Sequence, residues 1–195
     1  MKKGAVTGGL SCGKSTVCQL LREYGAYVVS ADEIVHELLF ENQEIIQKVI
    51  ALLGTEILTD NHIDRAKIAK RVFHQPLYLK SLEDILHPAV FMEIKNQYEL
   101  KKKEGTTWLF IAEIPLLFET KNDLEFDFTI AVIADEEISK KRFHQSMDEF
   151  DKRSKRQLKN TEKAQKATYV ITNNGSLTEL KETVNKLYNT ITSAK

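Results

Sequence analysis

The 195 residues carry 42% hydrophobic side chains, with 28 basic residues against 28 acidic ones and a pI of about 7.0. That length suits one compact domain with a small insertion, and the balanced charge supplies no bulk positive field for nucleic acid or an anionic membrane. There is no signal peptide, long apolar run or lipidation motif, and Cys12 and Cys18 form no C-x-x-C pair, so the expectation is a soluble, cytoplasmic protein with reduced thiols. A monomer or a weak homo-oligomer is expected.

The chain opens with an apolar-leaning stretch, Lys3-Gly4-Ala5-Val6-Thr7, that reads as a strand. It runs into Gly8-Gly9-Leu10-Ser11-Cys12-Gly13-Lys14-Ser15-Thr16, which is G-x-x-x-x-G-K-S, the phosphate-binding P-loop. A helical pattern follows, with Val17, Leu20, Leu21 and Tyr24 on one face. Strand, glycine loop and helix are the context the motif requires. Its glycines let the backbone fold around an anion with N–H groups inward, and the helix adds its positive end. Lys14 places a point charge on the β- and γ-phosphates, and the Ser15 hydroxyl can hold Mg²⁺. A dinucleotide-binding G-x-G-x-x-G is not present.

Gly25 reads as a helix stop and Tyr27–Ser30 as a short buried strand that delivers Ala31-Asp32-Glu33 to the carboxyl end of a sheet, where ligands bind in open α/β folds. Ile34, Val35, Leu38 and Leu39 begin another helix, and Ile45, Ile46, Val49, Ile50 and Leu53 continue helical spacing as far as Gly54. Residues 55–105 show weak strand signals and frequent helical periodicity. Asp64 can cap a helix carrying Ile68, Ala69, Val72 and Phe73. Pro76 opens the next, and His87-Pro88 is expected to interrupt it. This stretch reads as a helical insertion for an acceptor.

Residues 108–112 read as a strand buried on both faces, followed by Glu113-Ile114-Pro115-Leu116-Leu117-Phe118-Glu119. Residues 126–133 form the next strand. Residues 135–166 are highly charged and mostly helical, with Arg142, Arg153 and Arg156, and a lid is expected over about 138–160. Tyr169–Thr172 is the last strand, and Asn173-Asn174-Gly175-Ser176 turns into a final helix bearing Leu177, Leu180, Val184, Leu187 and Ile191. Strands alternating with helices predict an α/β fold: a P-loop NTPase of three-layer α/β/α type with a five-stranded parallel sheet. The whole chain, 1–195, reads as one P-loop domain.

A P-loop binds a nucleoside triphosphate without naming the reaction. The switch-GTPase elements D-x-x-G and N-K-x-D are not found, and the layout favours a small kinase. Asp32 is the candidate carboxylate beside the attacking hydroxyl, as base, orienting group or Mg²⁺-shell ligand; the alternative is a helix N-cap for residues 33–39. Glu113 and Glu119 each suit a place just outside a metal's direct ligands, or, for Glu119, a surface or capping role. Arg142 and Arg153 suit a closing lid, or else solvated surface. His87 suits contact with an acceptor, or else a helix end. Asn173 and Gly175 suit an adenine against loop backbone, or else a plain turn. Two rivals are another small-molecule or nucleoside monophosphate kinase and a non-catalytic ATP-dependent switch.

Taken together these stretches resemble the dephospho-CoA kinase family nearly end to end. The matching segments are Val6-Thr7-Gly8-Gly9, Ala31-Asp32-Glu33-Ile34, Gly54-Thr55-Glu56-Ile57-Leu58, Ile63-Asp64-Arg65, Leu86-His87-Pro88-Ala89-Val90, Ile114-Pro115-Leu116-Leu117-Phe118-Glu119 and Val170-Ile171-Thr172-Asn173-Asn174-Gly175. The resemblance implies ATP- and Mg²⁺-dependent phosphorylation of the ribose 3′-hydroxyl of dephospho-CoA, the last step of coenzyme A biosynthesis. It implies catalytic roles for Asp32, Lys14 and Arg142, and ATP contacts from Gly9, Ser11, Cys12, Gly13, Lys14, Ser15, Thr16, Arg142, Arg153, Asn173 and Gly175. Acceptor contacts would come from Asp32, His87, Leu116 and Phe118, and Mg²⁺ ligation from Ser15, with Asp32 a further candidate. Three positions depart from the family's usual pattern: Ser30 stands where an aspartate is frequent, Ser11 where glycine is common, and His144 near a frequent glycine.

Overall fold

Lys2–Gly8 forms the first strand, β1, with its last five residues buried. Helix α1 covers Lys14–Glu23 and turns Val17, Cys18, Leu20 and Leu21 inward. Strand β2 covers Tyr27–Ser30. The structure is a computed structural model that describes residues 1–73, 75–144 and 146–193. Its chain divides into two compact units, Met1–Ser30 with Leu100–Lys195, and Ala31–Glu99. The second unit begins at Ala31, whereas the sequence reading starts the insertion at about residue 55.

The Ala31–Glu99 unit is largely helical. Helix α2 spans Ala31–Glu41 and α3 spans Gln43–Leu53. Asn42 divides them: its side chain accepts the Ile45 N–H at 3.1 Å, an N-cap that restarts the helix. Two short strands, β3 (Leu58–Thr59) and β4 (His62–Ile63), pair antiparallel. The intervening Asp60 and Asn61 have φ of 50° and 63°, the left-handed pair that closes a tight hairpin. Helix α4 covers Arg65–Phe73. Asp64 caps it as expected, accepting the Ala66 N–H at 2.8 Å and the Lys67 N–H at 3.2 Å. The Thr59 hydroxyl and those N–H groups hold the Asp64 carboxyl below its ordinary pKa.

Helix α5 runs without a break over Pro76–Glu104, with Pro88 inside it. The expected interruption at His87-Pro88 does not occur. Leu82, Leu86, Val90 and Ile94 all lie buried on one face, and each contributes roughly 1.5–3 kcal/mol by leaving water. Together they outweigh the cost of about 3 kcal/mol for a proline within a helix. The core of this unit gathers Leu39, Ile45, Val49, Leu53, Ile68 and Leu86 from four helices.

In the other unit follow β5 (Leu109–Glu113), β6 (Phe128–Ile133), α6 (Glu136–Arg142), α7 (Met147–Ser154), α8 (Asn160–Lys166), β7 (Tyr169–Thr172) and α9 (Leu177–Ser193). The five long strands form one parallel sheet in the order β2-β5-β1-β6-β7. One face, with Val6, Ile111, Ile130 and Val132, packs on α1 and α9. Helix α8 packs against β1 and β6. This is the three-layer α/β/α arrangement, and its central strands are apolar on both faces because both are covered. Tyr188 locks α9 to α1, its hydroxyl donating to the Tyr24 carbonyl at 2.6 Å. Leu177, at 56% exposure, stands outside the core face of α9.

The Pro88 ring leaves the Asp84 carbonyl without its helical donor, so Pro88→Ala is expected to stabilise the protein, by up to about 3 kcal/mol. Thermal denaturation would show this as a higher Tm.

Candidate functional site: the phosphate loop and its supports

Strand β1 ends at Gly8 and α1 starts at Lys14. Between them the chain must reverse tightly while keeping its N–H groups turned to one side. Gly13 sits at φ 93°, ψ 25°. A Cβ there would come within 2.3 Å of Asn173 Nδ2. Glycine is thus required by the backbone and by its neighbour alike. Ser11 also takes a left-handed conformation, φ 55°. Among the described residues no side chain caps α1, and the positive end of the helix is directed at the loop.

Lys14 Nζ donates to the Gly9 carbonyl at 2.8 Å and the Gly8 carbonyl at 3.3 Å. Ser15 Oγ donates to Glu113 Oε1 at 2.9 Å. Glu113 is the last residue of β5 and pairs in register with Ser30 of β2. A carboxylate therefore stands beside Ser30. The hydroxyl and carboxylate are hard oxygen donors that fit Mg²⁺, which binds through one or two protein oxygens plus phosphates. Among the described residues no group of three or more His, Cys, Asp or Glu gathers as a metal cage.

Asn173, 7% exposed, is the clasp of the loop. Its Nδ2 donates to the Cys12 carbonyl at 2.9 Å, and its own N–H donates to Ile133 O at 2.8 Å. The Asn173 carbonyl accepts Arg142 Nη1 at 2.9 Å. The next residue, Asn174, accepts the Asp135 N–H at 2.9 Å through Oδ1. Gly175 is exposed, and a Cβ on it would meet Glu179 Oε2 at 2.0 Å. That carboxylate accepts the Ser176 N–H at 2.6 Å, while Ser176 Oγ accepts the Glu179 N–H at 3.3 Å. The reciprocal pair is a capping box for α9, and the N–H bond pulls the Glu179 carboxyl below its ordinary pKa. A shallow cavity of about 200 Å³ opens here beside Asn173, Asn174 and Gly175.

Behind the loop lies a buried ion pair. Lys163, 0% exposed, donates from Nζ to Pro115 O at 2.6 Å and lies 3.0 Å from Glu119 Oε1 and 3.5 Å from Gly8 O. Burial pulls its pKa below the ordinary lysine value, and Glu119 opposes that shift. Glu119 Oε1 also accepts the Leu158 N–H at 2.7 Å. Glu119 thus ties down the chain two residues ahead of α8. Asn160 Nδ2 donates to Ala134 O at 2.9 Å. Cys12 is 1% exposed, its Sγ lying 3.5 Å from Ser139 Oγ. A cavity of about 580 Å³ is lined by Gly9 and Leu10 of the loop, Ser139 of α6, Phe150 of α7, and Leu158 and Asn160.

The structure therefore brings Asn173 onto the loop of Gly9, Ser11, Cys12, Gly13, Lys14, Ser15 and Thr16, with Arg142 on the Asn173 carbonyl; Gly175 lies two residues further on, beside Glu179. Arg142 is half-buried at the end of α6, whereas Arg153 is exposed in the last turn of α7. Leu116 is half-buried and Phe118 is 6% exposed in the segment after β5. Asp32 and His87 belong to the helical unit. Asp32 lies in the first turn of α2, which starts at Ala31, so it is inside the helix rather than at its N-cap. His87 lies half-buried in mid-α5, so it terminates no helix. Sequence reasoning missed Lys163 and Asn160. A lysine and an asparagine in a run as polar as 159–166 read as solvated, and only the packing of α8 on the sheet reveals otherwise.

Comparison with known proteins agrees with this architecture. The family model described as dephospho-CoA kinase matches residues 4–179. The dephospho-CoA kinase of Protochlamydia amoebophila is 50% identical over 193 residues, covering 96% of this chain and 95% of that protein. Among solved structures, a Thermus thermophilus protein superposes with a TM-score of 0.79 at 30% identity, covering 96% of each chain. The dephospho-CoA kinase of Campylobacter jejuni superposes with a TM-score of 0.67 at 28% identity, covering 97% of each. A strand-loop-helix phosphate cradle, a hydroxyl–carboxylate pair beside it and a match of this extent lead to one conclusion: the chain belongs to the dephospho-CoA kinase family.

Proposed function

We propose that this protein transfers the γ-phosphoryl group of ATP to the ribose 3′-hydroxyl of dephospho-CoA, releasing ADP and coenzyme A. The observation that carries this reading is the loop itself. Its left-handed Gly13, its lysine folded over the Gly8 and Gly9 carbonyls, and Ser15 in contact with Glu113 form the apparatus that phosphoryl transfer uses.

Loop N–H groups and the α1 terminus bind the phosphates, and Lys14 swings from its carbonyls onto the β- and γ-oxygens. Ser15 and Glu113 would hold Mg²⁺, which neutralises charge developing on the phosphates. Asp32 accepts or orients the proton of the attacking hydroxyl. Arg142, fixed on the Asn173 carbonyl, and Arg153 add positive charge over the triphosphate, with residues 138–160 acting as a lid that excludes water. Asn173 and Gly175 line the adenine site. The helical stretch of residues 55–105, with His87, serves the acceptor, and Leu116 and buried Phe118, in the segment after β5, are further acceptor-contact candidates. Both cysteines are free thiols, which suits the reducing cytoplasm where this reading puts the enzyme. Among the described residues no helix is long and apolar enough to cross a membrane.

Incubation with ATP, Mg²⁺ and dephospho-CoA, followed by mass spectrometry, is expected to show one added phosphoryl group on the acceptor; nucleoside monophosphates in parallel should stay unmodified. Lys14→Ala and Asp32→Asn are expected to leave a folded protein whose turnover falls by about 10²–10⁴. An Asp32→Asn variant working at the parent rate would remove the role assigned to that carboxylate. Arg142→Ala is expected to lower kcat and raise KM for ATP, with a stability cost of only about 1 kcal/mol from the lost bond to Asn173. Steady-state kinetics beside a melting curve separates those effects.

A further inference from the structure

Lys163 is a buried ammonium that the phosphoryl-transfer chemistry itself does not use. Its three N–H donors meet three acceptors: the Pro115 carbonyl at 2.6 Å, Glu119 Oε1 at 3.0 Å and the Gly8 carbonyl at 3.5 Å. The side chain is 0% exposed. Such a pair is a poor way to stabilise a fold, because apolar residues of similar size do as well or better. Glu119 Oε2 is moreover buried without a hydrogen-bond partner among the described residues, a further cost that a purely structural cluster would shed.

What the pair does hold is the start of the phosphate loop. Gly8 ends β1, and its carbonyl is shared by two lysines, Lys163 from behind and Lys14 from within the loop. Lys14 cannot serve the phosphates and keep both the Gly8 and Gly9 carbonyls. Once it leaves, Lys163 is the side-chain donor that stays on the Gly8 carbonyl. The Thr7 hydroxyl adds a parallel tie, donating to the same Pro115 carbonyl at 3.1 Å. Glu119 extends the arrangement to the start of α8 through Leu158 N–H.

We propose that Lys163 is a positioning residue for phosphoryl transfer: by holding the Gly8 and Pro115 carbonyls from behind, it keeps the loop entrance in shape while Lys14 moves to the triphosphate. The proposal rests on the P-loop binding ATP, not on the identity of the acceptor, so it can be tested by binding alone.

The experiment compares the full-length parent, Glu119→Gln/Lys163→Met, Lys14→Ala, and the triple combination by calorimetric titration with Mg·ATP and by thermal melting. The double variant removes both buried charges and keeps side-chain length. The expected result is a parent-like Tm with Mg·ATP affinity weakened about tenfold or more, the equivalent of one charged hydrogen bond. In the Lys14→Ala background the same change is expected to weaken binding little further, because the two lysines act on one carbonyl. Parent affinity in the double variant, or a full additive loss in the triple one, would overturn the proposal. So would a double variant that fails to reach the parent Tm, since the pair would then serve the fold alone. A parent that binds Mg·ATP but leaves dephospho-CoA unmodified would instead overturn the acceptor assignment and leave this proposal standing.

Discussion

Asn173 Nδ2 reaches the Cys12 carbonyl at 2.9 Å, directly beside a glycine whose φ is 93°. The two facts belong together. A left-handed residue at the mouth of a helix is easily formed and easily lost, and a hydrogen bond from a buried amide makes it persist. The same asparagine carries Arg142 on its carbonyl and is itself held to β6 through Ile133. One residue, through its side chain and its backbone together, thus joins the phosphate loop, the end of β7 and the arginine-bearing α6, so loop curvature and arginine placement meet at a single position on the sheet's carboxyl edge.

Polar groups are buried here at a density that the rest of the sheet avoids. Thr7, Lys163 and Asn173 all sit below a tenth exposure around a loop flanked by strands made of Val, Ile and Phe. Buried polar atoms cost free energy unless each finds a partner. Nearly all of these do, and the partners are mostly backbone carbonyls of Gly8, Cys12 and Pro115. The network therefore acts on the main chain, the part of a phosphate loop that meets the ligand.

The phosphate loop, the alternation of strands and helices, and the capping aspartate before α4 were all legible because each is local: a glycine spacing, a run of β-branched residues, an acid directly ahead of a helix. The family resemblance drew on the same short segments. What stayed hidden depends on distant partners. His87-Pro88 reads as a helix break because proline's missing N–H is visible in the sequence, whereas the buried face of Leu82, Leu86, Val90 and Ile94 that carries the helix past it acts only after packing. Strands β3 and β4 are two residues each, too short for any periodicity, and their hairpin is set by left-handed Asp60 and Asn61. Asp32, readable as a cap, lies one residue inside its helix because α2 begins directly at Ala31. Lys163 carried no signal at all in a stretch of charged neighbours.

The burial of both thiols gives the molecule a built-in reporter. Cys12 and Cys18 are each 1% exposed, one in the phosphate loop and one in α1. The apolar surroundings of Cys18 also push its pKa well above the ordinary thiol value, which makes it slow to react even when reached. An alkylating reagent can meet Cys12 only when the loop draws away from Ser139 and Asn160. The rate of its labelling in the natural sequence therefore counts breathing events of the nucleotide cradle, with no probe engineered in.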